Sequence, residues 1–279
     1  MTSLVRRYLV LGLGVAIGLP LVSGFTPERE AAIDYEKVLV TVFLQGPLPG
    51  RFGSLWATEA WMRNNAAEPI DIQQYDFSCP VPECPPTPAT PPGISFRPKL
   101  ASSPPGLQGH FLFVDRRFAP DVAISVRLRD LSRQSMTWGT EVPVVREGEF
   151  RTKNLTLLDI PTGDGFRQVL RVYDLDGSRI EQVNIRVYRL DPTVVVPFSA
   201  QADTLLGERL MSFQIAGPNF SPIYPGYVEV SDLTAIGPLS GTERVRIDIE
   251  PVTPGLRYWA FVAVVNNDTQ HLTVISPSP

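Results

Sequence analysis

The chain has 279 residues, room for about two ordinary domains. Apolar residues make up 43% and charged residues 19%, which permits a packed core and argues against wholesale disorder. A formal net charge of −4 disfavours a nucleic-acid partner, which needs a basic face. Two His and two Cys leave few ligands for metal or redox centres, so no cofactor is expected.

Arg6 and Arg7 precede an uncharged run from Tyr8 to Val22, broken by Pro20 and followed by the small residues Ser23 and Gly24. This is the three-part pattern of a secretory signal peptide over residues 1–24. An uncleaved N-terminal anchor is the alternative, and it is the only membrane contact expected. The remaining chain is therefore placed outside the cytoplasm: secreted, periplasmic or at the cell surface.

From Tyr35 onward the apolar period is two. The run Val38 to Leu44 is apolar on both faces, as in a strand central to a sandwich. Trp56 to Asn65 is an aromatic-rich strand that ends in an Asn-Asn turn. Residues 77–98, FSCPVPECPPTPATPPGISFRP, form a stiff insertion that cannot feed a central strand. Val122, Ile124, Val126 and Leu128 alternate with polar or small residues. The polar stretch Arg146 to Asn154 suggests a boundary. Phe166 to Tyr188 is expected to be a hairpin about Asp176-Gly177, with Leu170 and Val172 before the turn and Val183, Ile185 and Val187 after it. Pro27 to Glu36 and Gln201 to Arg209 are the only stretches that could hold a short helix. Val245, Ile247 and Ile249 alternate again, and Tyr258 to Val265 is apolar on both faces. The expected fold is all-β: two tandem antiparallel immunoglobulin-like β-sandwiches, residues 35–147 and 154–279, after the signal segment, with a single large sandwich as the alternative.

The segment Trp56 to Asn65 is echoed by Trp259 to Asn267, each an aromatic strand running into an Asn pair. Gly53-Ser54-Leu55-Trp56 with Thr58-Glu59 and Asn64 resembles the opening of secreted bacterial β-sandwich modules. Phe166-Arg167 with Leu170, Val172 and Asp174 to Gly177, and Ala260-Phe261-Val262 with Asn266-Asn267 and Thr269, are similar to a second part of such modules. The resemblance implies secretion and the sandwich fold. It carries over no catalytic residue.

Chemistry-bearing patterns are sparse. His110 and His271 stand alone, and neither a Gly-x-Ser-x-Gly elbow nor a Gly-rich phosphate loop occurs. Cys79 and Cys84 are expected to pair as a local staple in an oxidising compartment. The Pro-rich loop around them (Pro80, Pro82, Glu83, Pro85, Pro86 and Pro88) is a candidate binding segment, or simply a rigid connection. Trp56, Trp61 and Trp138 with Glu59 and Glu141 are a candidate glycan platform; core packing of the Trp residues is the competing reading. Asp159, Asp164, Asp174 and Asp176 are weak calcium candidates, because hairpin turns use Asp for backbone reasons alone.

Three functions follow. The first is a non-catalytic secreted or envelope-associated module that binds an unknown protein or glycan, or serves as a structural accessory. The second is a carbohydrate-binding or glycan-active module that uses the Trp and Glu residues. The third is a secreted inhibitor or ligand that presents the Pro-rich loop.

Overall fold

The computed structural model describes residues 34–44, 46–73, 89–98, 109–133, 138–177, 181–190, 203–214 and 224–277. The signal segment, both cysteines and the proposed binding prolines 80–88 lie outside the described residues. The first half carries β1 (Tyr35–Val40), β2 (Leu48–Pro49), β3 (Leu55–Asn64), β4 (Ile72–Gln73), β5 (Ser95–Phe96), β6 (His110–Asp115), β7 (Val122–Asp130), β8 (Thr140–Glu141) and β9 (Val144–Arg146). The second carries β10 (Leu155–Pro161), β11 (Phe166–Asp174), β12 (Gln182–Arg189), β13 (Thr204–Ser212), β14 (Gly226–Val230), β15 (Arg244–Pro251), β16 (Tyr258–Asn266) and β17 (Leu272–Ile275). Every helical turn among the described residues is a three-residue 3-10 segment. The protein is all-β, and every strand pairing among the described residues is antiparallel.

Four sheets result. Sheet I has the order β4-β6-β1-β9, and sheet II the order β2-β3-β7-β8 with β5 on the flank of β3. Sheet III has the order β14-β11-β16-β17, and sheet IV the order β10-β15-β12-β13. Residues 34–279 form one compact unit with two cores.

The double-sided apolar runs explain how the layers stack. Side chains alternate between the two faces of a strand. On sheet III, Leu170, Val172, Ala260 and Val262 belong to the core shared with sheet IV, while Tyr173, Trp259 and Phe261 join the core of the first half. Tyr173 and Phe261 stack there with ring centroids 6.2 Å apart. Sheet III is thus buried on both faces where Tyr173, Trp259 and Phe261 lie. In sheet I, the facing pairs Val38–Leu112 and Leu39–Phe111 are likewise all buried. Bonds between residues more than 130 apart in sequence join the halves: Tyr173 Oη donates to the Thr41 carbonyl at 2.5 Å, Lys37 Nζ to the Leu175 carbonyl at 2.9 Å, and Thr140 Oγ1 to the Leu272 carbonyl at 2.7 Å.

Two sequence expectations are corrected. The segment 166–188 is not a hairpin: β11 pairs with β14 and β16, whereas β12 pairs with β13 and β15. Leu170 and Val172 still meet Val183, Ile185 and Val187, but across the core rather than beside them. The connection over 175–181 is far longer than a two-residue hairpin loop. The Asp174 carboxylate turns its start by accepting the Asp176 and Gly177 amides. Second, the helix candidate Gln201 to Arg209 is a strand where it is described: β13 begins at Thr204 and forms an edge of sheet IV, and 201–202 lie outside the described residues. Gly207 sits within β13, and pairing to β12 satisfies its backbone. Of the other helix candidate, residues 35 and 36 open β1, and 27–33 lie outside the described residues.

The echoed Asn residues share a local device. Asn64 Oδ1 accepts the Ala66 amide, and Asn266 Oδ1 accepts the Asp268 and Thr269 amides, so each turns the chain at a strand end. The continuations differ: β4 pairs in sheet I, away from β3, whereas β17 folds back onto β16.

Candidate functional site

The outward face of sheet II gathers the polar and aromatic groups that the strand period turns away from the core. In β3, Ala60 and Met62 are buried, so Glu59, Trp61 and Arg63 point outward. The register places Trp61 opposite Ser125 and Glu59 opposite Arg127 on β7, and Glu141 of β8 opposite that same Arg127. Directly paired residues share a face. Glu59, Arg127 and Glu141 therefore form one rung across three strands, with the outer two backbones about 10 Å apart.

The two tryptophans flank this rung. Trp61 is 45% exposed, with the Arg97 guanidinium 4.8 Å from its ring centre. Trp138 is 69% exposed and lies beside Arg129 at 5.1 Å and Arg127 at 5.8 Å. Gly139, at φ +93°, brings this ring over β7: a Cβ there would meet Arg129 Cγ at 2.5 Å. Arg129 also pairs with Glu59 at 2.6 Å, and Arg63 donates to Ser95 and Asn65. Four arginines (63, 97, 127 and 129) against two glutamates make a cationic face on a chain of net charge −4. Guanidinium groups beside Trp rings hold the aromatic planes in place and supply donors for hydroxyl or carboxylate oxygens.

Trp56 does not belong to this platform. It lies five residues from Trp61 in one regular strand, so it points to the opposite face; it lines a cleft beneath the sheet and meets Trp138 only in a smaller pocket with Leu128 and His271. That parity was readable in the sequence. The arginines were the missed residues: Arg127 and Arg129 alternate visibly with Val126 and Leu128, but only the β3–β7 register sets them against Glu59 and Trp138.

The four aspartates do not converge. Asp159 stands at φ +60° in a break of register and pairs with Arg244 at 2.6 Å. The carbonyl of Asp164 accepts from Asn267. Asp174 and Asp176 sit at the other end of β11, about 27 Å along the strand. Asp174 is fully buried and, chiefly through that burial, its carboxyl is pushed up; Asp176 pairs with Arg257 at 2.7 Å. Among the described residues no three His, Cys, Asp or Glu side chains come together as a metal site. His110 is buried, edge-on to Tyr224 at 5.8 Å, and His271 lies at the start of β17. Comparison with family models, with curated proteins and with solved structures finds no match.

Proposed function

We propose that this chain is a non-catalytic binding protein that acts outside the cytoplasm. In this reading it is built as two tandem immunoglobulin-like sandwiches behind a signal segment, and it binds a glycan on the outward face of sheet II. The observation that carries the reading is the exposure of Trp61 on β3 and of Trp138 beside β7, each next to a guanidinium, with the Glu59–Arg127–Glu141 rung between them. Exposed aromatic planes on a rigid sheet stack on the apolar faces of sugar rings, and the flanking Arg and Glu groups hydrogen-bond the hydroxyls. A face open to water favours holding a polymer over enclosing a bond to be broken.

The test is a titration of the full-length oxidised protein with neutral and acidic polysaccharides, followed by tryptophan fluorescence and calorimetry. Trp61→Ala and Trp138→Ala should each weaken binding more than about tenfold while leaving the melting temperature unchanged. Saturable binding indifferent to both substitutions would overturn the assignment of the face. The Glu59–Arg127–Glu141 rung favours one competing reading, glycan cleavage. Release of reducing ends that is lost in Glu59→Gln would replace binding with turnover.

A further inference from the structure

A cleft of about 520 Å³ opens between sheets II and III, within the range of small-molecule sites. Its walls are mainly apolar: Leu44, Trp56 and Leu128 come from the first half, and Phe261, Val265 and Val274 from sheet III. The charged lining is Arg51, Arg167, Arg171 and Asp232. Arg171 is paired with Glu229 at 3.1 Å. Among the described residues, Arg51 and Arg167 have no carboxylate within ion-pair distance, so the lining, counted with Glu229, carries one positive charge in excess.

Arg167 is the unusual member. Its Nη2 donates to Gln270 Oε1 at 2.8 Å, and the Phe52 ring lies 5.1 Å from its guanidinium. Its Nη1 is buried with no hydrogen-bond acceptor among the described residues. A guanidinium nitrogen sealed from water without an acceptor loses its hydration with no bond to replace it. Burial, and then the charge of Arg51, push this guanidinium below its ordinary pKa. A carboxylate beside Arg51 and the open part of the Arg167 guanidinium offsets the repulsion between the two cations.

We propose that the cleft binds a small amphipathic monocarboxylate, its alkyl or aryl body between sheets II and III and its carboxylate at Arg167 and Arg51. One negative charge matches the single excess cation. Planar bidentate acceptance suits a guanidinium, and the apolar walls suit a hydrocarbon body. Arg51 and Arg167 are not among the platform residues, and Glu59 and Trp61 point to the other face of sheet II, so neither proposal depends on the other.

Sodium laurate and 1-dodecanol, titrated into the full-length protein below their aggregation limits, separate the head-group contribution from the tail. Tryptophan fluorescence, with Trp56 in the wall, and calorimetry give the readouts. The expected result is saturable laurate binding with dodecanol at least about tenfold weaker. Arg167→Gln should bring laurate down to the dodecanol level without changing dodecanol. Arg51→Gln, on an exposed loop, gives a second and smaller loss should the first variant misfold. Equal affinity for the two probes, no saturable binding, or an unchanged laurate preference in both variants overturns the proposal.

Discussion

Replacing Tyr173 by Phe removes one oxygen from the seam between the two halves and leaves the ring in place. Tyr173 and Thr41 are both fully buried, and the lost bond spans 132 residues of sequence. Deleting the donor leaves the Thr41 carbonyl without that partner where water does not reach, which costs about 1–3 kcal/mol. For a unit of this size each kcal/mol shifts the melting temperature by about 2–4 °C, so a loss near 2 kcal/mol predicts a drop of about 4–8 °C. Trp56, Trp61 and Trp138 report on the first half and Trp259 on sheet III, so fluorescence and far-ultraviolet circular dichroism together follow both. If 34–279 is one cooperative unit, the two signals fall together. A shift under about 0.5 kcal/mol, within the range of ordinary surface substitutions, refutes the assigned bond; a fall confined to one signal refutes the shared core. The pH dependence gives an independent check. Burial pushes the Tyr173 phenol up to about 12, against about 10 for an exposed tyrosine. A raised folded-state value means its contribution is complete below about pH 10 and is lost as pH climbs through about 12. That alkaline loss should shrink in Tyr173→Phe.

Gly207→Ala should lower stability by about 1–3 kcal/mol, because the new Cβ would meet the Ile236 carbonyl oxygen at 2.2 Å and Gly237 Cα at 2.7 Å, both backbone atoms. Gly148→Ala, whose Cβ would meet nothing within 4 Å, should stay within about 0.5 kcal/mol in the same urea titration. Equal effects at the two sites would show that β13 does not press on the 236–237 turn. Asp130 is buried, which by itself pushes its carboxyl up, but bonds from the Leu55 and Ser132 amides, the Ser132 hydroxyl and Arg133 outweigh that and hold it below the usual range. A depressed folded value stabilises above the unfolded value and is lost as pH falls through the folded one. Asp130→Asn should therefore cost about 1–3 kcal/mol at neutral pH, with the gap to wild type closing below about pH 4; a gap constant with pH would argue against the ion pair.

The sequence by itself determined the all-β class, because side-chain alternation is local. Val122 to Leu128 and Val245 to Ile249 show it directly, and the same parity separates Trp56 from Trp61. It also marked β1 and β16 as strands wanting two apolar neighbours, since a run such as Val38-Leu39-Val40 leaves no wet face. Which neighbours those strands would find was not local information. Leu170 and Val183 look the same in sequence whether they pair side by side or face each other across a core; the pairing of β11 with β14 and β16, and of β12 with β13 and β15, makes it the second. The arginine ladder beside Trp138 and the cation-rich cleft at Arg167 each draw on residues far apart along the chain, and only strand register and the stacking of sheet III between two cores bring them together. Backbone pairing satisfies nearly any strand sequence. Partner choice therefore rests on the fit of whole buried faces, and that fit exists only in the tertiary structure.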